Sequence, residues 1–259
     1  MVRPVRVAAS VVTAPPADDR PTIVFLHGMR LSGAAWAAQV AGLTDAFHCL
    51  TPDLPGHGDA AGTPFTLDDA AAGIAELIER EAHGGRAIVV GSSLGGYVAM
   101  AVAAGWPERV AGLALSGATA EPVGARALAF RGLAAILRHA PRGALDRISR
   151  VYFGWRYPPA IADPIVAAGF SFEGGAAALR SLVGQRFLPR LASYPGPTLL
   201  VNGQYDLFFR RREGAFAAAA AHPRRVRIRR ATHLTNLDQP RRFNAAIRDF
   251  ARTIEGTDT

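Results

Sequence analysis

The sequence predicts an α/β fold in which a mostly parallel central sheet is flanked by helices. Up to about residue 118, short apolar runs alternate with alanine-rich stretches of helical length, a pattern typical of a parallel sheet covered on both faces. Between residues 119 and 190 only helical stretches occur, and strand patterns resume at Thr198. We therefore expect one core, residues 1–118 and 191–259, interrupted by a helical cap or lid at residues 119–190.

Each predicted strand is a short apolar run bounded by turn-forming residues, and each predicted helix is a longer alanine-rich stretch. The predicted strands are Arg6–Thr13, Thr22–His27, His48–Asp53, Ala87–Gly91, Val110–Ser116, Thr198–Asn202 and Arg225–Arg229. The predicted core helices are Ala34–Leu43, Leu67–Glu81, Leu94–Gly105 and Arg241–Thr253. The predicted helices of the insertion are Ala125–His139, Ala144–Tyr152, Pro164–Phe170 and Ala176–Phe187.

The composition excludes several classes of enzyme. All 29 basic residues are arginine, so the chain has no lysine for a P-loop, a Schiff base, a Ser-x-x-Lys pair or the strand lysine of a kinase. The single cysteine, Cys49, excludes an internal disulfide. No Cys-x-x-Cys or His-Glu-x-x-His spacing offers a transition-metal site. We therefore expect no metal site.

The net charge of +8 is distributed unevenly along the 259 residues. Residues 1–118 hold 7 Arg and 11 acids, residues 119–190 hold 10 and 4, and residues 191–259 hold 12 and 6. One explanation is a genome that favours arginine and alanine codons. The other is that the basic middle segment, residues 119–190, attracts an anionic substrate or an acidic partner, such as an acyl carrier protein. Because no zinc-finger, RNP-like or helix-turn-helix signature accompanies the arginines, we expect no nucleic-acid partner.

The N-terminal segment is a poor signal peptide. Its apolar stretch, Val7–Val12, is short and is followed by two prolines and two aspartates. The longest bland run, Ala215–Ala221, is far below the roughly 20 residues that a membrane-crossing helix requires. We expect a cytoplasmic monomer or homodimer without a membrane partner.

The motif Gly91-Ser92-Ser93-Leu94-Gly95 lies between a predicted strand and a predicted helix, as a nucleophile elbow requires. Ser93 would occupy a strained turn, where a side chain at either flanking glycine would collide with neighbouring backbone. The helix N-terminus would direct amide groups at a developing oxyanion. Ser92 lacks this symmetric flanking, so Ser93 is the candidate nucleophile. The alternative is a glycine-rich turn with a structural role only.

A serine hydroxyl is a weak nucleophile until a base accepts its proton and a carboxylate orients that base. His233 follows the last predicted strand, and Asp206 follows the strand before it. Both therefore lie at the carboxyl edge of the sheet, where parallel sheets bind their ligands. His27 and His57, in tight turns, are the alternative bases, and Asp53, which also ends a strand, is the second choice of acid.

The remaining candidates contact the substrate. The amides of Met29, two residues after the strand that ends at His27, and of Leu94 are the candidate oxyanion donors. Arg30 adjoins this segment and is a candidate to bind an anionic substrate group. The insertion carries many aromatic residues, which suit an apolar acyl group. From this set we expect Phe130, Phe153 and Trp155 to bind substrate.

Taken together, these motifs resemble the α/β-hydrolase superfamily along essentially the whole chain. The matching residues are His27-Gly28, Asp53-Leu-Pro-Gly-His-Gly58, the Gly91–Gly96 elbow, Gly203-x-x-Asp206 and His233, with the family's order of Ser, Asp and His. The resemblance implies the α/β-hydrolase fold, with a helical cap inserted after the sixth strand of the family's count. Serine at the elbow argues against the haloalkane dehalogenase and epoxide hydrolase branches, whose nucleophile is Asp. The segment Gly28–Gly33 lacks the Gly-Gly-Gly of one lipase and esterase group and looks like the loop of small acyl hydrolases.

The function implied is cofactor-independent hydrolysis of an ester or thioester of a small to medium, largely apolar substrate, either carboxylated or carrier-bound. The superfamily hosts many activities on one scaffold, so other classes stay open. One is a C–C bond hydrolase, and another is a lyase or isomerase that uses the same three residues as acid and base. A third is a small-molecule receptor with a residual triad.

Overall fold

A computed structural model describes residues 9–12 and 19–255 of the chain. The strands are β1 (Ala9–Val12), β2 (Thr22–Leu26), β3 (His48–Pro52), β4 (Ala87–Ser92), β5 (Val110–Ser116), β6 (Pro197–Gly203) and β7 (His222–Ile228). Within the described residues they form one sheet in the order β1-β3-β2-β4-β5-β6-β7. β1 runs antiparallel to β3, and the other neighbouring pairs are parallel. This confirms the predicted α/β fold; residues 6–8 and 13 of the first predicted strand lie outside the described residues.

Helices flank this sheet throughout the described part of the chain. Those that precede β6 are α1 (Ala37–Leu43), α2 (Leu67–Glu81), α3 (Leu94–Gly105), α4 (Ala125–His139), α5 (Arg142–Arg156), α6 (Pro159–Ala168), α7 (Phe172–Leu182) and α8 (Phe187–Ala192). Those that follow it are α9 (Leu207–Arg210), α10 (Glu213–Ala219), α11 (Thr235–Asp238) and α12 (Pro240–Glu255). In this numbering the helices α4–α8 lie between β5 and β6.

Two apolar cores lie on opposite faces of the sheet. Residues of α2 and α3 pack with β2, β4 and β5 in one core, and residues of α12 fill the other. The spacing of Phe243, Ile247 and Phe250 places all three on one stripe of α12, and all three are buried. Burial of such a side chain contributes about 2 kcal/mol. This packing holds the carboxyl ends of the strands at fixed positions.

The boundaries of the inserted helices differ from the predicted ones at several places. α5 covers Arg142–Arg156 instead of Ala144–Tyr152. The predicted helix Ala176–Phe187 is two helices, because Gly184 adopts a φ of +87° between α7 and α8, a conformation that ends a helix. The predicted helix Pro164–Phe170 begins earlier, at Pro159, because a proline suits the first turn of a helix.

A third apolar cluster attaches the inserted helices to the sheet's carboxyl edge. Phe153 and Tyr157, from the end of α5, and Ile165 of α6 pack against Leu31, which follows β2, and against Leu237 of α11. The inserted helices are therefore in contact with the loops that follow β2 and β7.

Within the described residues, no helix combines the length and apolarity of a membrane-spanning segment. The cytoplasmic location expected from the sequence stays a prediction.

Candidate active site

Ser93 lies on the turn between β4, the central strand, and α3. Its backbone has φ 51° and ψ −113°, a strained conformation for a residue other than glycine. The turn is held by the Ser93 N–H, which donates to the carbonyl of Ser116 at 2.7 Å. A side chain at Gly91 would collide with the backbone of the following turn, and one at Gly95 would collide with the carbonyl of Leu26. The two glycines therefore permit the close packing that exposes the serine.

The structure brings Ser93, His233 and Asp206 together at the carboxyl edge of the sheet. The Ser93 hydroxyl donates to Nε2 of His233 at 3.1 Å, and Nδ1–H of His233 donates to Oδ2 of Asp206 at 2.9 Å. Asp206 is 5% exposed, whereas His233 is 36% exposed. The two loops are joined by the Tyr205 N–H, which donates to the carbonyl of Ala231 at 2.9 Å. A proton on the serine therefore lies one transfer from an imidazole whose tautomer is set by a carboxylate.

Gly117, which the sequence reasoning missed, lies directly behind the imidazole. A Cβ at this residue would stand 2.6 Å from Cε1 of His233 and 3.3 Å from Oδ2 of Asp206. Its N–H donates to Oδ1 of Asn202 at 2.8 Å, and Asn202 in turn donates to Glu213 at 2.9 Å. The sequence signal that could have identified Gly117 is a glycine directly after a predicted strand, at the carboxyl edge of the sheet.

Phe209, also missed, stacks on the imidazole. Its ring stacks on His233 with centroids 4.7 Å apart and planes at 18°. The hydroxyl of Thr119 donates to the Phe209 carbonyl at 2.7 Å and holds the end of α9 in place. No sequence signal marked this residue, because its neighbour Phe208 has the same side chain.

The two candidate oxyanion donors lie beside the serine. Within residues 19–255, neither the Met29 N–H nor the Leu94 N–H donates to a protein oxygen. A Cβ at Gly28 would stand 3.7 Å from Cβ of Ser93, in van der Waals contact, so the segment that contains Met29 lies against the elbow. Two unpaired amides at this edge are the donors that an oxyanion requires.

The alternative bases and acid hold the neighbouring loops instead. His27 Nε2 accepts the Leu54 N–H at 3.0 Å, and Nδ1–H of His57 donates to the Pro55 carbonyl at 2.9 Å. Burial lowers the pKa of His27 to about 4. Burial, with the neighbouring His27, lowers the pKa of His57 to about 3. Asp53 accepts the N–H of Gly33 at 2.7 Å and the N–H of Asp59 at 2.8 Å.

These two neutral histidines predict a loss of stability in acid. Their folded pKa values lie below the ordinary 6.5, so stability is fully present above about pH 6.5 and falls as the unfolded chain takes up protons. Each ring contributes a slope of about 1.4 kcal/mol per pH unit. Urea unfolding of His57→Gln between about pH 6 and pH 5 should show a slope smaller by that amount. His222→Gln, at an exposed histidine, is the control; equal slopes for His57→Gln and the native chain would contradict the prediction.

Two cavities open beside Ser93. The larger, about 330 Å³, is lined almost entirely by apolar side chains, among them Phe130 of α4 and Leu179 of α7. The smaller, about 200 Å³, is lined by Arg30 and by Phe153 of α5. Of the predicted substrate contacts, Phe130 and Phe153 therefore lie at the site.

Trp155 does not reach either cavity, contrary to the sequence-based expectation. Its side chain is 81% exposed. It lies two residues beyond Phe153 on α5, and two residues turn an α-helix by about 200°. Since Phe153 faces the cavity, Trp155 faces solvent. Residue type alone predicts both contacts, and the helical phase of α5 separates them.

Arg30 has partners within the protein. Its guanidinium donates to Oγ of Ser149 at 2.6 Å and lies 5.8 Å from the centroid of the Phe170 ring. Burial lowers its pKa. The arginine therefore connects the segment after β2 to α5 and still lines the smaller cavity.

The parallel sheet, the elbow after its central strand and the order of Ser, Asp and His define an α/β hydrolase. The sequence model of the alpha/beta hydrolase family matches residues 23–246. The chain therefore belongs to this family and is an enzyme of the hydrolase type, as the resemblance implied. Among the described residues, no group of three or more His, Cys, Asp and Glu is arranged to hold a metal ion.

Three similar proteins illustrate the range of the family. The chain is 30% identical to a 2-succinyl-6-hydroxy-2,4-cyclohexadiene-1-carboxylate synthase of Serratia proteamaculans, over 90% of this chain and 93% of the relative. It is 38% identical to a pimeloyl-[acyl-carrier protein] methyl ester esterase of Methylococcus capsulatus, over only 37% of this chain and 36% of that protein. A thermophilic esterase from Thermogutta terrifontis superposes with a TM-score of 0.75 at 28% identity, over 96% of this chain and 99% of that one.

Proposed function

We propose that this enzyme hydrolyses an ester or thioester with Ser93 as nucleophile, His233 as general base and Asp206 as the acid that orients it. The observation that supports this most directly is the hydrogen-bonded series from hydroxyl to imidazole to carboxylate, at 3.1 and 2.9 Å. This series opens into an apolar cavity.

In the proposed mechanism His233 Nε2 accepts the Ser93 proton as Oγ attacks the carbonyl carbon. The amides of Met29 and Leu94 donate to the oxyanion, and Asp206 stabilises the imidazolium. The imidazolium then protonates the departing alcohol or thiol, and an acyl-serine remains. Water, deprotonated by the imidazole, attacks this ester, and the acid leaves as the serine recovers its proton. Each bond that breaks is matched by one that forms, with no cofactor.

The cavities support a small to medium, largely apolar acyl group. A volume of about 330 Å³ lies at the lower end of the range for small-molecule sites. We propose that residues 119–190 act as a cap, because Phe130, Leu179 and Phe153 of this segment line the two cavities. Arg30, at the smaller cavity, is the group that would contact a carboxylate on the substrate.

A carrier-bound substrate is supported by the surface around the cavities. Among the described residues, the exposed large hydrophobic side chains all lie on α4, α5 or the segment that begins α9, interspersed in α4 and α5 with seven arginines and one acid. They are Leu128, Leu133, Ile136, Ile148, Val151, Tyr152, Trp155, Tyr205, Leu207 and Phe208. Such a patch is typical of an interaction site, and its charge is complementary to an acidic acyl carrier protein.

The function is tested by intact-mass spectrometry after exposure to a serine-directed fluorophosphonate and to a panel of esters and thioesters. We expect one phosphonate adduct, located on Ser93 and absent in Ser93→Ala, together with release of the acid from at least one panel member. The panel includes one acyl group in two forms, as a free ester or thioester and attached to an acidic carrier protein, and the rate of hydrolysis of each form is measured at low and high salt. Preference for the carrier form, lost at high salt, would support carrier docking, because exposed charges are screened.

The other outcomes distinguish the alternative functions. Turnover of a substrate without an acyl adduct or phosphonate labelling would contradict the nucleophilic role and favour a lyase or isomerase that uses the three residues as acid and base. Tight binding of a small molecule without turnover would favour a receptor. Ester hydrolysis at a rate that depends neither on salt nor on the carrier would support the hydrolase function and contradict a carrier-bound substrate.

A further inference from the structure

The carboxylate of Asp238 joins two segments that are distant in the sequence. Its side chain is fully buried at the end of α11. Oδ2 accepts hydrogen bonds from both the N–H and the hydroxyl of Thr232, each at 2.6 Å. Oδ1 accepts from the guanidinium of Arg156 at 2.7 Å and from the hydroxyl of Tyr157 at 3.1 Å. Each oxygen therefore serves a different segment.

The Oδ2 bonds act on the backbone that carries the proposed base. Thr232 directly precedes His233, so fixing its N–H and side chain fixes the point from which the imidazole projects. The Thr232 carbonyl accepts the Thr235 hydroxyl at 3.0 Å and lies against Gly203, where any Cβ would collide with it. Asp206 supports the imidazole ring itself, whereas Asp238 supports its loop.

The Oδ1 bonds act on the helix that forms one side of the smaller cavity. Arg156 ends α5 and lies over the Tyr157 ring at 5.0 Å. The Tyr157 ring in turn lies 5.7 Å from that of Phe153, which lines the cavity together with Ser93 and His233. A displacement of this part of α5 would therefore act on the Asp238 carboxylate, which also holds the loop of His233.

We propose, on the basis of the serine hydrolase function above, that Asp238 is a positioning residue that keeps His233 in register with the cavity wall formed by α5. Four donors converge on the carboxylate, which accepts hydrogen bonds on both of its oxygens, whereas an asparagine amide accepts on one only. In an asparagine, the NH₂ group would oppose donors on one of the two segments. The loop of His233 would then shift, and a displacement of about 1 Å in a catalytic group lowers the rate by about 10²-fold.

The test compares kcat and KM of Asp238→Asn, Asp238→Glu, Arg156→Met and Tyr157→Phe, with active sites counted by fluorophosphonate titration. We expect Asp238→Asn to lower kcat per titrated site by about 10- to 100-fold and Asp238→Glu to restore part of it. Arg156→Met and Tyr157→Phe keep the Thr232 bonds, so they should mainly raise KM for bulky esters. A merely structural role would reduce the number of titrated sites and leave the rate per site unchanged.

Asp146→Asn is the matched control, because Asp146 also pairs with an arginine, Arg150 of the same helix, at 2.6 Å. That pair is partly exposed and makes no bond to the His233 loop. A per-site kcat of Asp238→Asn within twofold of the native enzyme, or an equal loss in Asp146→Asn, would overturn the positioning role alone. A native enzyme that the phosphonate does not label on Ser93 would overturn the proposed function, and the positioning role with it.

Discussion

Replacing Ser93 with alanine is expected to lower kcat by roughly 10⁴- to 10⁶-fold, the largest effect of any single substitution in this chain. The variant keeps the amides of Met29 and Leu94 and the two cavities, so KM should change little. The loss is expected because water must then replace the proposed nucleophile, whose Oγ the elbow holds 3.1 Å from Nε2 of His233, the proposed base. Steady-state kinetics on the best ester of the panel measure it.

A second substitution at the same residue separates catalysis from folding. The Ser93 backbone has a positive φ, which costs a residue with a Cβ roughly 1–3 kcal/mol. Ser93→Gly should therefore lose as much activity as Ser93→Ala and melt at a higher temperature than that variant. A variant of either kind that retains more than a hundredth of the activity would contradict the nucleophilic role.

Gly117→Ala is expected to lower kcat by at least about 10²-fold although residue 117 would have no direct part in the chemistry. The added Cβ would stand 2.6 Å from Cε1 and 2.8 Å from Nδ1 of His233. The imidazole must move away, and this lengthens its bonds to both Ser93 and Asp206. Slower fluorophosphonate labelling of Ser93 should accompany the loss, because labelling depends on the same base.

Gly124→Ala is the matched control for Gly117→Ala. Both glycines have a φ near +60°, a conformation that is strained for a residue with a Cβ, so each substitution costs roughly 1–3 kcal/mol in backbone strain. A Cβ at Gly124 meets open space, so that variant should be destabilised to a similar extent with normal activity per folded molecule. Equal activities of the two variants would show that contact with His233 is not what Gly117 prevents.

The predicted strands and helices of the core were close to the observed ones, because each depends on a local apolar pattern. The helix Leu67–Glu81 and the strand Val110–Ser116 have the predicted bounds. The same local reasoning led to Ser93, Asp206 and His233, since each lies at most five residues beyond the carboxyl end of a strand of one mostly parallel sheet. In the folded sheet His233 hydrogen-bonds to Asp206, 27 residues away in the sequence, and to Ser93, 140 residues away.

Residues whose role depends on what packs against them were not accessible in this way. Trp155 and Phe153 are both aromatic and lie two residues apart on α5, and only the docking of this helix decides which one faces the cavity. Gly117 follows β5, and it lies beside both Asp206, which follows the neighbouring strand β6, and His233, which follows β7. Asp238 bonds to Arg156 across 82 residues, a contact that no motif announces.

The amino-acid sequence by itself determined the fold class, the family and the strand ends at which the candidate site residues lie. Periodicity and turn residues act over a few neighbours, and a parallel sheet brings all its carboxyl ends to one edge. Only the tertiary structure decided which side chains face the cavities, which glycine leaves room for the imidazole and which carboxylate ties α5 to the loop of His233. Those contacts depend on distances of a few ångströms between segments far apart in the chain, and such distances exist only once the helices have packed on the sheet.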